Sequence, residues 1–453
     1  MRLAWLALVL AACGGSSGNH NGPDGGSGSG GGDGSNAPPP RIIPGGGIGD
    51  GPIDGVAYVY AIDDATRQPI PGAAVSVGTV TGTTDATGLF TATGVTGAQD
   101  VVVTAAAHRS EVWLGANGTN LTIDLQTQTA ATPPSANLAG TIDLSSFTAA
   151  GSGHIKAAIV TYSQTDNLGD PANSIATSGD ANICIPPSQT GGGSSDVCSF
   201  SVASRVGSVG LIAAVIDHSG SGAGTNTLIG WAYRVGITVV GGADQASLDL
   251  NVVAPADTTT EGFTYATPPA GLGTLGGIAG VDLGDDGVFQ LPIELVPTNG
   301  SASLLVPKLS VFTGSTYRFT GVAQAATGVD SALPESVVLV RNQTGATISS
   351  GTWLDPPSNV SASLTRASWT SSAGATVESI EYVQGQAHLL NVTAFDGRTS
   401  VTIPSAIALP TTGAPLVATV SAIHADIDLT NFGLDADSDK IDGEAAQPAQ
   451  VSN

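Results

Sequence analysis

Short apolar segments of period two, separated by turn residues, constrain the fold of this chain more than any other feature. Two of these segments each place three apolar side chains on one face: Val56, Tyr58 and Tyr60, then Leu121, Ile123 and Leu125. Alternation over so few residues is typical of half-buried β-strands. Between them, residues 67–72 and 84–88 supply the Pro, Asp and Gly of tight turns. The sequence therefore predicts an all-β protein of tandem antiparallel β-sandwich domains.

The composition is typical of exported β-proteins and argues against a nucleic-acid partner. Only 11% of the 453 residues are charged, whereas ordinary globular proteins carry about 25%. Ser, Thr, Asn and Gln must therefore make most of the surface polar. The formal net charge of -24 would repel a phosphate backbone, so we expect no nucleic-acid partner.

The N-terminus has the features of an export signal. Arg2 leads into an apolar run, Leu3–Ala12, that is too short to span a bilayer. Residues 1–12 are therefore predicted to be a signal peptide. The sequence Leu10-Ala11-Ala12-Cys13 resembles the lipobox of bacterial lipoproteins, which implies cleavage before Cys13 and diacylglycerol on its thiol. The alternative is an ordinary signal peptide with a chance cysteine.

The residues after Cys13 bear on where the protein is held. By resemblance to lipoprotein sorting, Gly14 implies the outer membrane, because the Asp that retains such proteins at the inner membrane is missing. Residues 13–52 are rich in Gly, Ser and Pro, so we predict a disordered tether. Some 35 such residues would span about 30–35 Å as a random coil. The longest later apolar run, Val209–Ile216, is about one strand long, so the lipid is the only membrane attachment that we predict.

Two cysteines remain for a disulfide once Cys13 is acylated. Cys184 and Cys198 leave an even number of cysteines, which favours a disulfide in an oxidising compartment. A turn-rich segment lies between them. A disulfide closing about 15 residues would contribute roughly 3 kcal/mol of stability. A metal site on the two thiolates is the alternative, but neither cysteine has a His or another Cys within a few residues.

Residues 53–131 resemble a known small domain. The resemblance rests on three segments: Pro69-x-x-Gly72-Ala73-x-Val75-x-Val77, Thr84-Asp85-x-x-Gly88-x-Phe90, and Val101-x-Val103-x-Ala105. They resemble the carboxypeptidase regulatory-like domain, a transthyretin-like β-sandwich. Ala107-His108 stands where the family often has Gly-Tyr. The resemblance implies a structural or interaction module and supplies no catalytic residues.

The rest of the chain is predicted to form further β units. Residues 132–257 are expected to be a second β-sandwich containing the disulfide, bracketed by proline-containing linkers. Residues 258–345 are expected to form a β domain. Residues 346–453, with Trp369 and Tyr382 as core candidates, resemble a fibronectin III-like or Ig-like β-sandwich and end in an acidic tail.

The acidic tail suggests a weak calcium site, the only cofactor we consider. Oxygen ligands at alternate positions are what Ca²⁺ takes from a loop. The candidate ligands are Asp435, Asp437, Asp439, Asp442 and Glu444. Lys440 stands where a calcium loop of the EF-hand type needs Gly, so a solvated acidic tail is the simpler interpretation.

The sequence names no catalytic residue. The histidines are too far apart for a paired-ligand motif, and Gly-rich matches to catalytic motifs fall in the tether. We therefore expect a non-enzymatic structural or binding module of the cell surface, with an envelope protein or polysaccharide as partner. The alternative is an envelope hydrolase, such as a glycosidase whose two carboxylates lie far apart in sequence.

Overall fold

A computed structural model shows an all-β protein, as predicted. It describes residues 38–128, 133–149, 151, 153–165, 175, 182–219, 226–291, 301–325, 333–345 and 347–452. The predicted signal peptide, Cys13 and the tether as far as residue 37 lie outside the described residues. No helix in the described ranges is long and apolar enough to cross a membrane.

The first unit is a sandwich of two sheets. Its strands are β1 (Gly47–Gly49), β2 (Asp54–Asp63), β3 (Ala74–Val77), β4 (Val80–Thr83), β5 (Leu89–Thr96), β6 (Gln99–Thr104), β7 (Ser110–Ala116) and β8 (Asn120–Leu125). One sheet contains β1, β8, β2 and β5, and the other contains β7, β6, β3 and β4. Alternate residues of both sheets, such as Val59 and Val103, meet in one apolar core.

The folded part begins before residue 52, so the predicted tether boundary was placed too late. β1 pairs with β8 and lies within the range assigned to the tether. Ile48 is the single large side chain of this three-residue strand and is fully buried. One apolar side chain gives no periodicity, so the pattern could not reveal the strand. Gly47 has φ +141°, and a Cβ there would lie 2.3 Å from the carbonyl oxygen of Phe432.

The second unit also has two sheets. Its elements are β9 (Ser135–Asp143), β10 (His154–Tyr162), β11 (Ile183–Cys184), helix α1 (Pro187–Thr190), β12 (Val197–Arg205), β13 (Gly207–Ser219), β14 (Asn226–Val239) and β15 (Asn251–Val252). β9 pairs with β12, while β10, β11, β13, β14 and β15 form the facing sheet. The core between them contains Leu138, Phe200, Leu211 and both cysteines.

The third group of strands packs on the outer face of the second unit. It comprises β16 (Thr258–Thr264), β17 (Thr274–Asp282), β18 (Val288–Gln290), β19 (Ser301–Pro307), β20 (Thr316–Gln324), β21 (Glu335–Gln343) and β22 (Thr347–Ser349), with short 3-10 helices at Pro255–Asp257, Gly284–Asp286 and Leu309–Val311. Trp231 of β14 is fully buried against Phe263 and Phe319 in a shared core. Its indole N–H donates to the Leu305 carbonyl at 3.1 Å.

The last strands complete a large sheet that passes through several predicted domains. They are β23 (Ser358–Ser363), β24 (Arg366–Thr370), β25 (Val377–Gln384), β26 (Ala387–Ala394), β27 (Ser400–Thr402), β28 (Leu416–Ala425), β29 (Phe432–Gly433) and β30 (Ile441–Ser452), with helix α2 (Leu434–Asp437) and a 3-10 helix, Ser438–Lys440. The order of the main path is β18-β17-β20-β21-β30-β28-β25-β26-β7-β6-β3-β4. The parallel pairing of β7 with β26 joins the first unit to the last.

The large sheet has two different faces where β7, β25 and β26 meet. One face carries Val112, Ile380 and Val392, which pack with Trp369 and Tyr382 in an apolar core. The alternate positions of the same strands carry polar side chains: Glu111, Glu381, Asn391 and Thr393. Because successive side chains of a strand point to opposite faces, this second face is polar yet buried.

Candidate functional site

The candidate site is a cavity of about 50 Å³ between the polar face of the large sheet and the segment that carries β29 and α2. Of the large sheet, β7, β26 and β28 supply most of the lining residues, and β8 of the other sheet supplies one more. Three carboxylates and three aromatic rings line it: Glu111, Asp124, Asp437, Trp113, Phe395 and Phe432. The site therefore combines acidic and aromatic groups in a mostly buried space.

A buried ion-pair network forms one wall of the cavity. Arg109 donates from Nε to Glu111 Oε1 and from Nη1 to Glu381 Oε1, both at 2.7 Å. Asn391 Nδ2 donates to the other oxygen of Glu111 at 2.9 Å, and His388 Nδ1 lies 2.8 Å from Glu381 Oε1. All five side chains are buried. The network joins β7 to β25 and β26, which lie about 270 residues further along the chain.

The two glutamates bound to Arg109 differ in pKa because their other partners differ. Burial raises the pKa of Glu111 to about 7, and the charge of Arg109 offsets only part of that shift. Burial also acts against the ionised form of Glu381, but the hydrogen bond from His388 and the charge of Arg109 outweigh it and lower its pKa. Glu381 is therefore the ionised partner of Arg109 throughout the neutral range.

Asp124 contributes a second unusual carboxyl to the same cavity. Burial raises its pKa to about 8, with further contributions from the charges of Asp64 and Glu111. A Cβ on Gly46 would lie 2.8 Å from Asp124 Oδ1, so the loop before β1 covers this carboxyl closely. At neutral pH the carboxyl is therefore mainly protonated.

The disulfide prediction is confirmed. Cys184 and Cys198 are bonded, with their Cα atoms 5.4 Å apart. Both residues are buried in the core of the second unit. The disulfide is therefore a structural element of that core and lies apart from the cavity described above.

The structure does not bring the five candidate calcium ligands together. Asp437 accepts hydrogen bonds from Lys440 Nζ at 2.7 Å and from the Gly433 backbone N–H at 2.8 Å. Asp442 contacts His424, 2.5 Å away. Asp439 lies in the 3-10 helix and Glu444 lies in strand β30, so these two carboxylates belong to different elements. Nowhere in the described ranges do three or more His, Cys, Asp or Glu side chains form a group that could hold a metal ion.

Glu444, the last of these candidates, is buried on the polar face of the large sheet. It is 1% exposed, and the side chain of Ser421 is its neighbouring hydrogen-bond donor. Burial, followed by the charge of Glu335 on the neighbouring strand β21, raises its pKa well above the usual value. Its neighbourhood therefore suits a protonated carboxyl and differs from a calcium loop.

Sequence reasoning missed the cavity residues, although one signal pointed to them. Every glutamate in the described ranges lies within a strand and is buried: Glu111, Glu261, Glu335, Glu378, Glu381 and Glu444. Several aspartates lie in turns instead, as Asp85 and Asp428 do, which accept hydrogen bonds from the hydroxyls of Thr87 and Thr430. A glutamate inside an alternating strand pattern therefore indicates a buried polar position in this chain.

The cavity has groups that could move a proton, but little space. A carboxyl with pKa near 7 or 8 is suited to general acid catalysis. A water needs about 10–15 Å³ by the same measure of volume, so 50 Å³ holds about three to five waters. A sugar ring is larger than this.

Comparisons with known proteins give only remote similarities. No family model matches the sequence, and no curated protein matches it. The Bacillus anthracis TIE protein is 11% identical over 65% of this chain and 49% of its own, with TM-score 0.13. The Bacillus cereus major pilin subunit is 9% identical over 65% of this chain and 97% of its own, with TM-score 0.14. The chicken CNTN1 FN1–FN3 domains are 12% identical over 57% of this chain and 81% of their own, with TM-score 0.14. Such similarities carry no argument about function.

Proposed function

We propose that this protein is an exported, lipid-anchored module of the bacterial surface that presents a rigid β body as a structural or binding element, without catalysis. The observation that carries the proposal is the continuous sheet across β7 and β26, fixed by the buried bonds of Arg109 to Glu111 and Glu381. A body joined in this way keeps the first and last units in one orientation. Fixed spacing is what a scaffold or a presented binding surface requires.

The proposed anchor is a lipid on Cys13, in the outer membrane. Its support is the lipobox-like sequence before Cys13 and the Gly that follows it. Residues 14–37, again rich in Gly and Ser, would then link the anchor to the folded body. In this proposal the partner is an envelope protein or a polysaccharide, and the unit that resembles a carboxypeptidase regulatory-like domain serves interaction.

The anchor is tested by changing Cys13→Ala in the full chain. We expect loss of palmitate labelling and release of the protein from the membrane fraction. The double change Cys184→Ala with Cys198→Ala is the matched control, because it removes the two disulfide-bonded cysteines without touching the lipobox and should leave the protein in the membrane. Retention of the Cys13→Ala protein in membranes would contradict the proposed anchor.

The non-enzymatic role is tested with the intact lipoprotein. A pull-down from the native envelope and a glycan array should identify a saturable partner, and incubation with envelope polysaccharide should release no product. Release of sugar fragments that is abolished by Glu111→Gln would support the hydrolase alternative instead. If neither a partner nor a product is found, a purely structural role remains, and a deletion strain should then show an altered envelope.

A further inference from the structure

We propose that the cavity beside Arg109 binds a small primary ammonium group, with oxygen acceptors at one side and aromatic rings at the other. This inference goes beyond the anchored module proposed above and does not depend on it. It rests on the oxygen acceptors, the aromatic rings and the volume of the cavity.

Two oxygen groups of the cavity lack a donor. The Oδ1 of Asn391 is buried and has no hydrogen-bond partner, and the whole side chain is 1% exposed. Its amide nitrogen is held by Glu111 and Thr393, at 2.9 Å and 3.3 Å, which fixes the direction of the amide. Among the described residues none donates a hydrogen bond to the Asp124 carboxyl, which is partly exposed. An unmet buried acceptor such as Asn391 Oδ1 is unfavourable, so a ligand that donates N–H groups would be favoured here.

The aromatic wall suits the cationic and alkyl parts of such a ligand. The ring centroids of Trp113 and Phe395 are 5.4 Å apart, and those of Phe395 and Phe432 are 5.9 Å apart. All three rings line the cavity. A cation within about 6 Å of a ring centroid is attracted by the negative face of the ring, and an alkyl group gains the remaining apolar contact.

The charged side chains around the cavity would accept one more cation. Arg109 is already bound by Glu111 and Glu381, and Asp437 is bound by Lys440. Asp124 faces Asp64 and Arg67 from the loop after β2, and Arg109 and Glu111 from the start of β7. Burial keeps the proton on Asp124, and the charges of Asp64 and Glu111 add to that effect. A bound ammonium would replace that proton.

The volume sets the size of the ligand. About 50 Å³ accommodates three to five waters, which matches ethylammonium with its three non-hydrogen atoms. The same group occurs at the end of a lysine side chain. Because so few atoms make contact, the expected Kd is on the order of millimolar.

The test is an NMR titration of the mature protein with ethylammonium chloride. We expect saturable shifts of the Trp113 indole signal with a millimolar Kd, and no saturation with ethanol, which has the same size without the charge. A second arm uses a capped lysine dipeptide, so that binding there but not by ethylammonium would assign the site to a protein side chain. No saturable binding of either ammonium would overturn the inference.

Variants locate the binding. Asp124→Asn should weaken ethylammonium binding at least about tenfold, since a charge-assisted hydrogen bond is lost. Phe395→Leu should weaken it a few fold and keeps the test valid if Asp124→Asn does not fold. Asp285→Asn is the matched control, because Asp285 is exposed and outside the cavity, and should change nothing. Equal Kd values for all three variants would contradict the assignment.

The pH dependence separates this site from a surface carboxylate. Because the ligand binds the ionised form of Asp124, whose pKa is about 8, the affinity should rise on the order of tenfold or more between pH 6 and pH 9. Calorimetry in buffers of different ionisation enthalpy should detect proton release at pH 7. A pH-independent Kd without proton release would exclude Asp124 as the acceptor.

Discussion

Between β9 and β15, two sheets enclose a core of apolar side chains and the Cys184–Cys198 disulfide. On the polar face of the large sheet, by contrast, β7, β25 and β26 enclose Arg109, Glu111 and Glu381. In the first region burial itself stabilises the fold, because apolar surface leaves water. In the second region burial is unfavourable for every charge, and only mutual pairing compensates for it.

The difference shows what each region contributes. An apolar core with a disulfide is stable over a wide range of pH, because the disulfide and the apolar side chains do not titrate. A buried ion-pair network is sensitive to the loss of any one partner and to protonation. Such a network also accepts few alternative arrangements, so it orients the first unit relative to the last. Each prediction below tests this contrast.

The largest expected effect is that of Arg109→Met. It leaves Glu111 and Glu381 buried without their shared cation, so we expect a loss of about 3–5 kcal/mol in unfolding free energy. Urea unfolding measures the loss, and hydrogen exchange should place it at β7 and β26. The control is Arg398→Met, whose half-exposed ion pairs with Asp100 and Asp396 should contribute about 1 kcal/mol or less. Similar losses for the two variants would show that the network is not desolvated.

The double change Cys184→Ala with Cys198→Ala should have the next largest effect. The disulfide closes a loop with a sequence separation of 14, so its removal should cost roughly 3 kcal/mol. Hydrogen exchange should increase in β9–β15 and stay unchanged at β7 and β26. Faster exchange in both regions would mean that the two cores unfold as one unit.

Rising pH should weaken the polar region by about 2 kcal/mol between pH 6 and pH 7, with a shallower slope above pH 8. The folded protein keeps protons on Glu111 and Asp124, with pKa values of about 7 and about 8, that the unfolded chain releases near pH 4. Unfolding therefore releases protons in this range and is favoured at higher pH. Urea midpoints at pH 6, 7, 8 and 9 measure the slope. Glu111→Gln combined with Asp124→Asn should flatten it, whereas a midpoint that rises with pH would refute the assignment.

How far each region could be predicted from sequence follows from the range of its contacts. Two cysteines separated by turn residues indicated a disulfide in the second unit, because that signal is local. The partners Arg109 and Glu381 are 272 residues apart, and no local pattern pairs them. The parallel contact of β7 with β26 had no signal either, because the sequence pattern of a strand does not name its neighbour.

The smallest expected effect is that of Glu444→Gln, and it should depend on pH. The raised pKa of Glu444 means that the carboxyl is protonated in the folded protein, and Gln has nearly the same shape as a protonated Glu. We therefore expect little change in stability at pH 4, where the unfolded chain also holds most of this proton. At pH 9 the variant should be more stable than the wild type, because the wild type must take up a proton on folding or bury a charge, and Gln does neither. Urea unfolding at both pH values measures this.

Glu378→Gln is the contrasting control, because that carboxylate accepts hydrogen bonds from Trp369 Nε1 and the Ser372 N–H, at 2.8 Å and 3.1 Å. It should be destabilised at both pH values. A Glu444→Gln protein that loses stability in the same way would contradict a protonated Glu444 in the folded chain.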